Sequence, residues 1–412
     1  MPEVKPIAET FAKIKVVGIG GAGGNAINRM VEEGIQGVEF IAINTDVQAL
    51  HNNKADIKLH IGKTVTRGLG AGMNPELGRQ AAEESQSEIR DLLKGSDMVF
   101  ITCGLGGGTG TGAAPLIAEI AKDLGALTIA VVTKPFAFEG GQRRRIADRG
   151  YDDLSSQVDT IITVANEKLL TIIDKRTSLL DSFKIADNIL RQGVQGIAEI
   201  ITVPGIVNAD FNDVRAIMAN TGSALMGIGQ ATGENKAEEA VRAAVNSNLL
   251  ETSINGAKGI VFTITGGPDL SMMEVSEAAR IISSLADEDA KIIFGAVIDE
   301  RLKDELKVTI VATGFNDQDR PANDFSPVET PAQSYIPHNF AKKEEDRKRT
   351  EVKEETKEAK NTSLNFSWFE KKEKAEAKVE PVQSAVKPQI KKTDDEEDEE
   401  LSVPAFIRKK MM

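Results

Sequence analysis

Five short apolar, β-branched runs, KIKVVGI, VEFIAI, DMVFITC, LTIAVVT and TIITV, recur through residues 13–165 with helix-patterned segments between them. Runs that are continuous, not alternating with polar residues, fit strands buried on both faces. Strand and helix in turn predict an α/β fold, a parallel Rossmann-like sheet wrapped by helices. Residues 179–201 then place Leu179, Phe183, Ala186, Leu190, Ile197 and Ile201 at steps of three, four or seven. That spacing predicts one long, largely buried central helix. Beyond Pro204 strands are expected near SALMGIGQ, GIVFTITG, KIIFGAVI and KVTIVATG, and helices near residues 213–220, 238–245 and 272–285. This second pattern predicts a smaller α+β C-terminal domain.

The boundaries follow from these shifts. An N-terminal extension covers residues 1–12, the sheet domain 13–178, the central helix 179–203 and the second domain 204–316. Residues 317–393 turn to Lys, Glu, Ser, Pro and Gln, as in KKEEDRKRTEVKEETKEAK. So little apolar content does not offset the entropy of ordering, so a disordered linker is expected, with Trp368 in a small apolar island, SLNFSWFE. Residues 394–412 join an acidic run to a short apolar and basic peptide, DDEEDEELSVPAFIRKK.

Composition narrows the function classes. The net charge is -13, from 50 Lys and Arg against 63 Asp and Glu, which argues against non-specific nucleic-acid binding. No run approaches 18 apolar residues and the start has no signal-type apolar core, so no direct membrane insertion is expected. A single cysteine, Cys103, makes no internal disulfide and fits a reducing, cytoplasmic setting. With only three histidines, His51, His60 and His338, histidine-centred acid-base chemistry and His/Cys metal sites are not expected.

Glycine carries the chemistry instead. GIGGAGGN follows the first strand and opens a helix, and Gly18, Gly20 and Gly23 match G-x-G-x-x-G. Asp46 ends the next strand about where a dinucleotide fold places its ribose-binding acid, so a nicotinamide dehydrogenase is one reading. A second loop, CGLGGGTGTGAAP, follows another strand and also runs into a helix, yet lacks the Gly-Lys-Ser/Thr ending of a P-loop. A third, RGLGAGMNPELG, brings Gly70, Ala71 and Gly72 before a helix that Asn74 or Pro75 begins. Several bare amides and helix N-termini converging on one crevice suit a chain of two or three phosphates.

These stretches, together with AINTD, VVTKPFAFEGGQRRR and VPGIVNADFNDVR, resemble the tubulin/FtsZ superfamily of GTPases over residues 13–315. GGGTGTG is the specific signal. The resemblance implies that Gly20, Gly21, Ala22, Gly23, Gly24, Asn25, Gly104, Gly107, Gly108, Thr109 and Gly110 surround the phosphates of GTP or GDP. Asn44, Thr45 and Asp46 would reach phosphate or the shell of a Mg²⁺ ion, the companion ion expected, although an Asx turn accounts equally for Asp46. Thr133, Pro135, Glu139 and Arg143 follow the fourth predicted strand; the resemblance puts Glu139 on the ribose hydroxyls and Arg143 near the sugar-phosphate end. Guanine offers N1–H and N2–H₂ donors, for which a carboxylate is the natural complement. Asp187 is the candidate, with Asn166 on the same base and Phe183, one turn earlier, stacking on it. On residue pattern alone, Asn166 reads as a helix cap and Asp187 as a solvent-facing position.

NADFNDVR holds Asn208, Asp210 and Asp213, and its two acids fall on one face of a helical turn, where a capping box is the plain structural reading. It follows a helix of about 30 Å at 1.5 Å per residue, so it does not fold back easily onto its own chain's phosphates. The resemblance makes it the loop that enters a neighbouring subunit's nucleotide pocket, with Asp210 and Asp213 acting on the attacking water and Asn208 orienting the loop. A head-to-tail contact of that kind generates a filament. The resemblance further implies a division-ring role at midcell, with Pro404, Phe406, Ile407 and Arg408 binding membrane tethers of FtsA or ZipA type. A catalytically idle GTP-binding scaffold is the third reading, which both acids weigh against.

Overall fold

The computed structural model describes residues 12–169, 176–203, 205–247 and 253–315. The N-terminal extension up to residue 11, the linker with Trp368 and the terminal peptide with Pro404, Phe406, Ile407 and Arg408 lie outside the described residues.

Strand and helix alternate from the start: β1 (Ile14–Ile19), α1 (Gly20–Glu32), β2 (Val38–Asn44), α2 (Val47–His51), β3 (Ile57–His60), α3 (Pro75–Glu84), α4 (Gln86–Leu93), β4 (Met98–Gly104) and α5 (Thr109–Asp123). There follow β5 (Leu127–Lys134), α6 (Gly141–Ser155), β6 (Thr160–Ala165), α7 (Asn166–Leu169) and the 24-residue α8 (Leu179–Thr202). The remainder is α9 (Phe211–Met218), β7 (Gly222–Thr232), α10 (Lys236–Val245), β8 (Gly259–Gly266), α11 (Met272–Ser283), β9 (Lys291–Ile298) and β10 (Glu305–Thr313). Every strand and helix expected from the sequence is present within a few residues. The half-exposed edge strand β3, IKLH, had no counterpart, because four residues of mixed polarity carry too little periodic signal.

The ten strands of the described residues form one sheet, ordered β3-β2-β1-β4-β5-β6-β7-β10-β8-β9. The first six are parallel in the order 3-2-1-4-5-6 of doubly wound dinucleotide folds. The strands of the second half do not form a separate sheet, since β7 joins β6 over three residues, Thr160–Ile162 against Gly222–Ala224. This covers an edge of β6 that would otherwise stand open.

Alternate residues feed opposite faces. Ile14 and Val16 of β1 pack with Ile27 and Met30 of α1 and with Leu190, Val194 and Ile197 of α8. Val17 and Ile19 pack on the other face with Ile89 and Leu93 of α4 and Ile117 and Ile120 of α5. Thus α1 covers one face and α5 the other, as right-handed crossovers running in opposite directions require. The order reverses between β1 and β4, and a crevice opens there, at the C-terminal ends of the strands.

Candidate functional site

The parallel register lines the strand ends up. Ile19 of β1 faces Ile43 of β2 and Cys103 of β4, Gly104 faces Thr133 of β5, and Lys134 faces Ala165 of β6. Asn44, Thr45 and Asp46, Gly20 to Asn25, Gly104 to Gly110, Thr133 and Pro135, and Asn166 therefore leave successive strands along one edge. Residues up to 146 positions apart in the chain reach one row because each follows a strand of similar length (Gly20 to Asn166).

The three glycine loops touch one another. Gly20, at φ +72°, would put a Cβ 3.1 Å from the Gly110 nitrogen, and a Cβ on Gly108 would stand 2.8 Å from the Ala71 Cβ and 2.9 Å from the Asn74 nitrogen. On Gly104 it would lie 2.7 Å from Ala22 Cβ. Glycine at these points lets backbones approach to a distance that no side chain permits. By contrast nothing lies within 4 Å of a Cβ placed on Gly21 or Gly72, and Gly107 meets only the Gly104 oxygen at 3.9 Å. Packing does not demand glycine at these points, although Gly72, at φ +53°, lies in the left-handed region that favours it.

Side chains tie the loops together. Thr45 and Thr109 share a buried hydrogen bond, 2.6 Å between hydroxyls, joining the end of β2 to the first turn of α5. Asn44 Oδ1 accepts the Asp46 N–H at 3.2 Å, and Asp46 Oδ1 accepts from the Gln48 and Ala49 N–H groups, so Asp46 is the N-cap of α2. Asn74 caps α3 with Pro75 in its first turn, the start expected from the sequence. Asn53 Nδ2 donates to the Gly24 carbonyl at 2.8 Å, a support for the first loop that no motif announced.

At the far end of the row, Glu139 Oε1 accepts the Phe136 N–H at 2.9 Å while its Oε2 pairs with Arg143 at 3.1 Å. The buried Arg143 Nε has no partner in the described residues. Phe183 on α8 meets Phe136 edge to face, ring centroids 5.7 Å apart, which brings α8 to this end of the sheet. Asn166 is 6% exposed and its Oδ1 is buried without a hydrogen bond, an acceptor left unpaired among the described residues. Asp187, one turn after Phe183, is not solvent-facing: burial pushes its carboxyl up to about 6, partly offset by the Arg29 guanidinium on α1.

The acid loop lies at the opposite edge. Asn208 Oδ1 closes the loop by accepting the Gly205 N–H at 2.7 Å, and Val207 bridges Ala296 of β9. Asp210 caps α9 by accepting the Asp213 N–H at 2.8 Å. The Asp213 carboxylate does not reach back, so only half of a capping box forms, and Asn208, Asp210 and Asp213 are all exposed. Arg215 of α9 reaches the Gly125 carbonyl just before β5, and Thr160 at the start of β6 bonds the Met218 carbonyl. Thr202, at the end of α8, likewise bonds the Gln36 carbonyl just before β2. These are the N-terminal ends of the strands. An eight-residue strand such as β5 separates the two edges by about 25 Å at roughly 3.3 Å per residue.

Two family models match this chain: the GTPase domain of the tubulin/FtsZ family over residues 13–174, and the C-terminal domain of the FtsZ family over residues 222–316. Among solved structures, an empty FtsZ dimer from M. jannaschii is 50% identical with a TM-score of 0.72, over 74% of this chain and 89% of that one. CetZ2 from Haloferax volcanii, in a GTPgS-bound protofilament, shares the fold with a TM-score of 0.63 at 22% identity, over 74% of this chain and 94% of that one. Glycine loops converging at a topological switch point, two matching family domains and half-identity across most of a solved relative agree: this chain belongs to the FtsZ family of tubulin-like GTPases and is an enzyme that hydrolyses GTP.

Proposed function

We propose that this GTPase works as a head-to-tail homopolymer, in which the glycine loops of one subunit hold GTP and the acid loop of the next completes the site. The observation that carries this reading is the separation of the two parts: the loops follow the C-terminal ends of β1 and β4, whereas Asp210 and Asp213 sit by the N-terminal ends of β5 and β6. No bending of one chain closes that gap, but stacking copies along the strand direction does. The FtsZ relative at 50% identity was solved as a dimer, which supports self-association.

In this reading the amides of Gly20 to Gly24 and Gly107 to Gly110, together with the N-termini of α1 and α5, hold the phosphates. Glu139 and Arg143 border the sugar. Asp187 accepts from guanine N1–H and N2–H₂, Asn166 meets the same base, and Phe183 flanks it. Asp213 and Asp210 of the next subunit orient the water that attacks the γ-phosphate, and Asn208 holds their loop. Mg²⁺, when bound, neutralises phosphate charge. Thr45 and Asp46, after the end of β2, are the residues that would lie near such an ion. The working parts are then residues 13–178 for nucleotide, 179–203 as the spacer helix and 204–316 for the acid loop.

A filament of this kind builds the division ring at midcell. Among the described residues no helix is long and apolar enough to cross a membrane. Attachment would fall to Pro404, Phe406, Ile407 and Arg408, binding tethers of FtsA or ZipA type, where one tail per subunit multiplies a weak contact. Sedimentation tests the assembly: polymer is expected to pellet with GTP and to disperse as phosphate is released. Equal pelleting with GTP, GDP and no nucleotide would reject it.

Two further outcomes follow from the site. Gly21→Ala is expected to change stability by no more than about 0.5 kcal/mol and to weaken GTP binding, because the added methyl meets no protein atom within 4 Å and, in this reading, crowds the phosphates. Gly112→Ala should behave oppositely: its Cβ would stand 1.9 Å from the Pro75 carbonyl, and overpacking there costs about 1–3 kcal/mol. Calorimetric melting beside nucleotide titration separates the two.

The Asp187 carboxyl, raised to about 6, gives a pH dependence. Only the ionised form accepts from both guanine donors, so GTP affinity should fall as pH drops from 7 to 5. The stability of the nucleotide-free protein moves the other way. A folded pKa above the unfolded value means the carboxylate destabilises the fold above about 6, and that penalty lifts as pH falls through this value. Titrations across this range, with Asp187→Asn as the pH-insensitive control, check the sign.

A further inference from the structure

The second threonine of GGGTGTG, Thr111, is 4% exposed and stands in the first turn of α5, and its two branches reach different neighbours. Its Oγ1 accepts the Gly106 N–H at 2.9 Å, with both groups buried. Gly106 sits at φ +93°, a conformation glycine alone adopts easily, and a Cβ there would lie 2.8 Å from the Arg143 Cγ and carbonyl. This residue turns the chain out of the strand end and into Gly107, Gly108 and Thr109. The Thr111 methyl faces the other way, onto α6, where a Cβ on Gly150 would stand 2.1 Å from Thr111 Cγ2.

We propose that Thr111 is a positioning residue for the phosphates. Its hydroxyl fixes the positive-φ turn at Gly106 and through it aims the amides of Gly107 and Gly108, while its methyl serves only to seat α6. A loop so rich in glycine has more backbone freedom to lose than any other sequence, so an amide cradle built from it binds anions well only when something holds it ready. Within the described residues the one side-chain hydrogen bond to the Gly104–Gly108 backbone is that of Thr111. Without that acceptor the Gly106 N–H is left buried and unpaired, and the loop must move to satisfy it. The inference rests on the reading of the glycine loops as the phosphate site.

The two branches can be removed separately. Thr111→Val keeps the shape and the contact with α6 but loses the acceptor, and Thr111→Ser keeps the acceptor but loses the methyl. Binding of GTP, GDP and guanosine to each purified full-length variant is the measurement. Thr111→Val is expected to lose about tenfold or more in affinity for GTP and GDP with guanosine binding unchanged. Thr111→Ser is expected to bind all three as the wild type does and to melt at a lower temperature. A Thr111→Val protein that binds GTP like the wild type, or loses guanosine in the same proportion, overturns the role of Thr111 alone. A wild type with no preference for GTP over guanosine overturns the phosphate site and this role with it. Hydrogen exchange at the Gly106 amide of the wild type needs no variant: a protected amide supports the proposal, and a freely exchanging one rejects it.

Discussion

Asp213→Ala is expected to lower turnover at saturating GTP by about a hundredfold or more, with GTP affinity and filament formation retained. General-base and water-positioning groups contribute roughly 10²–10⁴ in rate, and their loss shows in kcat because they act chiefly in the transition state. The structure makes Asp213 the cleaner of the two acids to test. Asp210 is the N-cap of α9, so replacing it removes a cap worth about 1 kcal/mol along with any catalytic role. Asp213 offers only its backbone N–H to that cap, and its carboxylate is exposed. Alanine in its place leaves the helix start intact. Turnover assays beside nucleotide titration of the monomer decide the matter, and a loss of monomer affinity in Asp213→Ala would return the residue to a structural role.

The second large effect belongs to Asp187→Asn. An amide cannot accept from both guanine donors, and the loss of a charge-assisted hydrogen-bond pair is worth about 1.5–3 kcal/mol, roughly ten- to a hundredfold in affinity. Discrimination against ATP should relax by a similar factor. Because burial alone drives the Asp187 carboxyl upward, the neutral amide is expected to leave the nucleotide-free protein at least as stable as the wild type. Competition between GTP and ATP, with melting as the control, tests both halves. An unchanged preference would move guanine recognition to other residues.

Much of this was legible in the chain because the informative residues repeat a physical pattern. Buried strands such as DMVFITC and LTIAVVT announce themselves by continuous apolar runs, and the glycine loops by the lack of side chains where a helix begins. Individual side chains were less legible, since an acid near a helix start looks the same whether it caps or binds. Asp46 caps α2 through its Oδ1, which the sequence offered as one of two roles. Asp187 would have passed for a surface acid, and only its packing near Arg29 of α1 displays its burial. Asn53 carries no motif at all, because a support for Gly24 from 29 residues away depends on the return of the chain through β2 and α2. The single sheet shared by both halves was equally hidden, for three paired residues between β6 and β7 leave no mark in local sequence.

The specific rate of GTP hydrolysis against protein concentration tests the composite site most directly. If one subunit holds the nucleotide and the next supplies Asp210 and Asp213, each molecule alone has half a site. Phosphate release per subunit should then stay near zero below an assembly threshold, rise across it and level off as most subunits gain a neighbour. A rate per subunit that is constant from far below that threshold to far above it would show that one chain suffices, and would contradict the account.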